Sequence, residues 1–216
     1  MSTRICFIRH GETDWNREKR IQGQIDIPLN ETGRAQALAM AFDATRYDFA
    51  TIYSSDLSRA EQTAEALAEG RNLAVKTMPQ LRERHFGIFQ EMTKDHASMH
   101  YPEAYARYEA RDIEYGFETG ESLRALSERV TQVVEWLTCH HAGHTIAVVT
   151  HAGVLDILYR RATGRALHTP RDFVIPNCGL NWFYFDHQCS GGKGWHLEAW
   201  GDHHHQLVDV GLESIE

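Results

Sequence analysis

Ile5-Cys6-Phe7-Ile8-Arg9-His10-Gly11-Glu12-Thr13 is the stretch on which the reading of the chain turns. Four consecutive apolar residues that stop at a basic pair read as a short strand buried on both faces, the pattern of a parallel sheet. In open α/β folds the ligand crevice lies outside the carboxyl ends of the strands. Arg9 and His10 therefore fall at the mouth of a crevice, and Gly11 permits a turn of the backbone close to a ligand.

Two later segments repeat the arrangement. Ala50-Thr51-Ile52-Tyr53 runs into Ser54-Ser55-Asp56 and a helical pattern from Leu57 to about Glu69. Ile146-Ala147-Val148-Val149 runs into Thr150-His151-Ala152-Gly153 and a helix through about Arg161. Each delivers one cationic or titratable residue, Arg59 or His151, just past a strand end. Leu29-Asn30-Glu31-Thr32-Gly33 starts another helix, with Ala35, Leu38, Ala39 and Phe42 expected on its apolar face. Ser122 caps a further helix carrying Leu126, Val130, Val133 and Leu137 at helical spacing. Residues 93–115 read as two short, aromatic-rich helices over the crevice, and Leu180–Phe185 and Trp195–Trp200 as strands paired across Ser190-Gly191-Gly192-Lys193-Gly194.

At 216 residues, with 42% apolar and 24% charged side chains, the chain suits one α/β domain over 1–216. Segment 84–120 is expected to cover the substrate and 201–216 to form a surface tail. The formal net charge of −8 argues against non-specific binding to nucleic acid or an anionic membrane. No stretch has the length of a membrane-spanning helix. The four cysteines at positions 6, 139, 178 and 189 lack Cys-x-x-Cys spacing, so they are expected to be buried free thiols in a cytoplasmic protein, monomeric or homodimeric.

The chemistry gathers at Arg9, His10, Arg59 and His151. Arginine forks match phosphate oxygens, and two of them can hold a phosphoryl group from different sides. Neutral imidazole is a nitrogen nucleophile, and phosphorylation of it divides hydrolysis into two easier displacements. Arg9, Arg59 and a protonated His151 would stabilise the equatorial oxygens in both. The leaving oxygen needs a proton, for which Glu83 in Leu81-Arg82-Glu83-Arg84-His85-Phe86-Gly87 is the candidate; the competing reading pairs Glu83 with Arg82 or Arg84 in solvent.

Beyond these residues, the chain resembles the histidine phosphatase superfamily, in the branch that holds cofactor-dependent phosphoglycerate mutases and broad-specificity phosphatases. The resemblance runs through Arg9-His10-Gly11-Glu12-Thr13 with Trp15-Asn16, Gln22-Gly23, Asp26 to Leu29, Gly33 with Gln36-Ala37, Ser54 to Ala60 with Gln62 to Ala64, Glu83 with Phe86-Gly87, Gly120-Glu121-Ser122, Val149 to Gly153, and Pro176-Asn177. It implies a three-layer α/β/α sandwich with a mostly parallel sheet and an antiparallel edge strand. It also implies His10 as the phosphorylated nucleophile, Arg9, Arg59 and His151 as the rest of the phosphate pocket, and Glu83 as acid/base. Asn16 and Gln22 match positions that bond the transferring phosphoryl group, and Lys94 a substrate lysine of the mutases. No metal or organic cofactor is implied for a phosphatase acting on a small phosphorylated metabolite.

Three activities compete: phosphomonoesterase, phosphoglycerate mutase, and a non-catalytic protein that docks a phosphorylated ligand. Against the mutase, Phe86 stands where a tyrosine is expected, the paired arginines with a Ser-Tyr-Asp segment are missing, and the chain lacks the longer insertion. Glu91 stands where glycine is usual in both branches; pointing inward, it would disfavour a doubly charged substrate. Against docking alone, Glu83 would be superfluous. His203-His204-His205 reads as a solvated tail rather than a metal site, and His140, His141 and His144 as partners of a helix C-terminus. Tyr101, Tyr105 and Tyr108 share a spacing that suits either the substrate entrance or packing.

Overall fold

The computed structural model describes residues 2–186 and 194–203. Strand β1 spans Ser2–Arg9, helix α1 Asp14–Arg17 and α2 Glu31–Asp43. Strand β2 (Ile52–Ser54) leads into α3 (Ser58–Ala68) and β3 (Val75–Thr77). Two short helices, α4 (Lys94–His100) and α5 (Pro102–Glu109), precede the long α6 (Leu123–His140). The chain then forms β4 (Thr145–Thr150), α7 (Ala152–Thr163), β5 (Leu180–Asp186) and β6 (Trp195–Asp202). The six strands make one sheet in the order β3-β2-β4-β1-β5-β6. The first four run parallel, β5 is antiparallel to β1, and β6 pairs antiparallel with β5.

The three layers follow from the alternation along β1. Ile5 and Phe7 enter one core with Val130, Val133 and Leu137 of α6 and Leu155 and Leu158 of α7. Cys6 and Ile8 enter the other with Ala37 and Met40 of α2 and Ala60, Ala64 and Leu67 of α3. All four β1 residues are fully buried, which stabilises the fold by about 1.5–3 kcal/mol for each of Ile5, Phe7 and Ile8. Because β1 and β4 are adjacent and parallel, Arg9 and His151 leave the sheet at the same edge, as the strand-end reading requires.

Some local expectations hold and others are corrected. Helix α6 starts at Ser122, whose side chain accepts from the Ala125 N–H, and buries Leu126, Val130, Val133 and Leu137 as expected. Helix α2 starts at its Asn30 cap but presents a different face. Gly33, Ala37 and Met40 are buried, whereas Leu38 is 57% and Phe42 81% exposed. The reason is backbone approach: a Cβ on Gly33 would lie 2.0 Å from the Glu12 carbonyl oxygen, so only the small-residue stripe can face the sheet. Leu38 and Phe42 give up burial to that fit. Strand β3 has no apolar run to announce it, since Lys76 and Thr77 are exposed. Cys6 and Cys178 are buried free thiols, but Cys139 is exposed on the outer face of α6, where no core element covers it.

Strand β6 continues through Asp202 because Leu180 pairs with Asp202 and the Gly201 N–H donates to Asn181 Oδ1 at 2.9 Å. The structure thereby includes the first residues expected to form the tail. The remainder from position 204, with His204 and His205, lies outside the described residues, as do Cys189 and the turn residues Ser190 to Lys193. Among the described residues, no group of three His, Cys, Asp or Glu side chains could hold a metal, and no helix is long and apolar enough to cross a membrane.

Candidate active site

The site grows from the end of β1. The His10 N–H donates to the Thr150 carbonyl at 3.0 Å, carrying the parallel ladder one residue beyond the strand. The neighbouring 175–178 loop fixes the same two residues from the other side. Arg9 Nη1 donates to the Ile175 carbonyl at 2.6 Å, the Cys178 N–H to the Arg9 carbonyl at 2.9 Å, and Asn177 Nδ2 to the His10 carbonyl at 2.8 Å. Gly11 is needed for a different reason from the one expected. Its position faces α2 rather than a ligand, for a Cβ there would lie 2.4 Å from the Gly33 carbonyl oxygen. The Gly11 N–H donates to Thr63 Oγ1, and the Glu12 N–H to Gln36 Oε1. Several motif residues thus serve to hold the loop.

His10 is 3% exposed, and its Nδ1 lies 2.7 Å from the Gly11 carbonyl oxygen. A carbonyl can only accept, so Nδ1 carries the proton and the lone pair sits on Nε2. Burial lowers the imidazole pKa well below its ordinary value near 6.5, and the Arg59 and Arg9 charges lower it further. The ring is therefore neutral. His151, the residue before α7, stands opposite with its ring centroid 5.1 Å away.

Arg59 opens α3 and is fully buried. Its Nη1 and Nη2 donate to the carbonyls of Ile25 (2.9 Å) and Gly23 (2.7 Å). Burial brings both Arg9 and Arg59 down to about 10, which leaves them cationic at neutral pH. Among the described residues, Nε of each arginine, Gln22 Oε1 and both ring nitrogens of His151 are buried without a hydrogen-bond partner. Buried polar groups are seldom left unpaired, and the donors in this set, the Nε–H of each arginine and a ring N–H of His151, suit an oxyanion, whereas Gln22 Oε1 can only accept.

Without an opposing charge beside it, the His151 imidazole is held well below its ordinary value near 6.5. Burial is the largest cause of its lowered pKa, followed by the charges of Arg59, His10, Arg129 and Arg9. An entering oxyanion supplies the opposite charge and raises it again. The effect on stability has a definite sign. The unfolded chain takes up protons on both histidines below about 6.5 while the folded chain refuses them, so stability falls as pH drops through that value. The melting temperature is expected to decline from pH 7.5 to 5.5, with tungstate flattening the decline. A decline equally steep in the His10→Asn/His151→Asn double variant would refute this source.

Glu83 reaches the site through an irregular segment. Its two carboxylate oxygens each accept from the Gly153 N–H at 3.0 Å, and Oε1 also accepts from the Arg84 N–H at 2.7 Å. The reading that pairs it with a neighbouring arginine fails. Arg82 is bound to Asp56 (2.6 Å), while Arg84 donates to the carbonyls of Glu121 and Tyr115 and lies over the Phe117 ring. Gly153, quoted in the motif but given no role there, admits the carboxylate, since a Cβ at that position would be 2.1 Å from Glu83 Oε1. The Glu83 charge in turn acts on both Arg9 and Arg59.

The chain that carries this arrangement is similar to known proteins over nearly its whole length. A family model described as histidine phosphatase superfamily (branch 1) matches residues 5–203. The chain belongs to the histidine phosphatase superfamily. It is 39% identical over 215 residues to phosphoglycerate mutase-like protein 4 of Arabidopsis thaliana, covering 96% of this chain and 88% of that protein. It is 35% identical over 214 residues to a metal-independent phosphoserine phosphatase of the same plant, covering 97% and 85%. Among solved structures, Bacillus stearothermophilus YhfR superposes with a TM-score of 0.83 at 30% identity, covering 93% of this chain and 97% of that one.

Of the remaining positions expected in the site, Asn16 and Lys94 are committed elsewhere. Gln22 is buried beside the Gly23 carbonyl that holds Arg59. Asn16 is committed through Oδ1 to the cap of α1, accepting from the Thr13 N–H and hydroxyl at 3.2 Å. Lys94 opens α4, 58% exposed, with its ammonium 3.9 Å from Glu109. No described contact joins it to the four-residue cluster. Glu91 is exposed with φ +72, the left-handed region that favours glycine. That backbone requirement accounts for the glycine expected there, and the exposed side chain does not enter the site. Tyr101, Tyr105 and Tyr108 pack on Phe89, with ring centroids 5.9–6.3 Å away, and thereby hold α4 and α5 together.

Proposed function

We propose that the chain is a phosphomonoesterase that hydrolyses a small phosphorylated metabolite through a phosphohistidine on His10. The observation that carries this is the His10 tautomer: Nδ1 is held by the Gly11 carbonyl, which leaves the Nε2 lone pair free on a buried ring within reach of the Arg59 and Arg9 charges. Nε2 attacks phosphorus, the P–O bond to the leaving group breaks, and the leaving oxygen takes a proton from Glu83. Water then attacks phospho-His10 and gives a proton to Glu83, releasing phosphate and restoring the imidazole. Arg9, Arg59 and a His151 protonated in the presence of the oxyanion stabilise the equatorial oxygens in both steps.

Support for a phosphatase comes from the relative named as a metal-independent phosphoserine phosphatase. A mutase reading is favoured by the name of the 39%-identical relative. Against it, Phe86 packs on Tyr108 and Phe117 within the apolar cluster, and Lys94 faces Glu109. The net charge of −8 favours a small-molecule substrate over nucleic acid or membrane. The deciding experiment is phosphate release from a panel of phosphomonoesters, phosphoserine and 3-phosphoglycerate included, with and without 2,3-bisphosphoglycerate. Release without the bisphosphate is expected; isomerisation dependent on it, with little release, would assign a mutase. Because the buried arginines supply the charge stabilisation, turnover is expected to survive chelator. Loss in chelator, restored by magnesium or zinc, would overturn that expectation.

A further inference from the structure

Residues 82–86 form neither helix nor strand, so no backbone ladder aims Glu83. The segment is held instead by side chains that take its carbonyl oxygens, chief among them Arg129 on α6. Arg129 Nη1 donates to the carbonyls of Gln80 (2.7 Å) and Arg82 (2.9 Å), and Nη2 to that of Glu83 (3.4 Å). Its Nε and Nη2 also grip Glu121 Oε1 and Oε2 at 2.8 and 2.7 Å. The guanidinium has five N–H donors, and this set of acceptors occupies all of them.

Glu121 completes the clamp from the other end. Its N–H donates to the His85 carbonyl at 2.8 Å, and its own carbonyl accepts from Arg84 Nε at 2.8 Å. Both partners are largely buried, with side chains 20% and 15% exposed. Glu121 balances the Arg129 charge, so the grip is made without leaving an unpaired cation beside His151, on which Arg129 also acts.

We propose that Arg129, anchored by Glu121, is a positioning residue that sets the aim of Glu83 toward the leaving group. The inference rests on the reading of Glu83 as the proton donor. Arg129 Nη2 shares the Glu83 carbonyl oxygen with Gln24 Nε2 (3.0 Å) and, alone among the described residues, Arg129 takes the Gln80 and Arg82 carbonyls through Nη1, while the Glu83 carboxylate extends away to the Gly153 N–H. A lysine, with one compact ammonium, cannot reproduce a planar fork spread over three carbonyls and a carboxylate.

The test is single-turnover phosphoryl transfer from an alkyl and an aryl phosphomonoester, with tungstate affinity measured in parallel. Arg129→Gln is expected to slow the alkyl ester by about 10- to 100-fold, the scale of loss for a catalytic group misplaced by about an ångström. The aryl ester, whose phenolate leaves unaided, and tungstate binding should change little. Arg129→Lys should fall between wild type and Arg129→Gln on the alkyl ester. In a Glu83→Gln background, Arg129→Gln should add little further loss, because both changes remove the same proton transfer. Equal losses on both esters, or losses that multiply in the double variant, would overturn the proposal. Should Arg129→Gln fail to fold, Arg129→Lys and Glu121→Gln provide the same comparison. Glu83→Gln alone keeps the two readings apart. If it shows no alkyl/aryl difference, the proton-donor assignment fails and this inference with it. If it shows the difference and the Arg129 and Glu121 variants do not, only this inference fails.

Discussion

His10→Ala is expected to lower turnover of every phosphomonoester, alkyl or aryl, by on the order of a million-fold, the scale seen when a covalent nucleophile is removed from its catalytic unit. The loss is general because both ester classes need Nε2 as the attacking atom, whatever protonates the leaving oxygen. Oxyanion binding should survive, since Arg9, Arg59 and His151 are held by bonds to Ile175, Ile25 and Gly23 and by burial rather than by the His10 ring. Rapid quench with a labelled substrate should give an acid-labile, base-stable adduct in the wild type and none in the variant. An adduct on a serine, or turnover undiminished by the substitution, would end the phosphohistidine assignment.

Glu83→Gln is expected to slow alkyl phosphates by about 100- to 10,000-fold, the usual contribution of general acid catalysis. An alkoxide leaves poorly unless protonated as the P–O bond breaks, whereas a phenolate does not need the proton. The aryl loss in the first step should therefore be much smaller. Tungstate affinity should change little because the cations remain. The glutamine retains an acceptor for the Gly153 N–H, so a general collapse of the segment is not built into the substitution. Single-turnover measurement is required, because hydrolysis of phospho-His10 also uses Glu83 and would mask the contrast. Equal losses for both esters would assign Glu83 a structural role. Of the alternative carboxylates, Glu12 already accepts from Asn30 Nδ2 at 2.8 Å and Glu91 is exposed, whereas the Glu83 charge acts on Arg9 and Arg59.

The features readable from the residues alone were local in origin. Ile5 to Ile8 announce a doubly buried strand by their run of apolar side chains, and an open parallel sheet puts the next two residues, Arg9 and His10, at the crevice. Arg59 and His151 are placed by the same rule. Asn30 and Ser122 announce helix starts because a cap is satisfied within three residues of chain. The face of α2 was not legible, because Gly33 needs contact with the Glu12 backbone, and that close approach outweighs the burial Leu38 and Phe42 would have gained. Nor was the aim of Glu83, which depends on Gly153, seventy positions away, and on carbonyl bonds from Gln24 and Arg129 to a segment with no regular structure of its own. The lowered pKa of His151 arises from burial and from charges brought by two other strand ends, with Arg59, His10 and Arg9, and by Arg129 of α6. Periodicity and capping are properties of neighbouring residues, so the sequence by itself determined most of the elements, β3 and the end of β6 excepted, and the kinds of group at the crevice. Close backbone approaches, the direction of an irregular segment and the protonation of a buried ring depend on which distant segments meet, and the tertiary structure alone decided those.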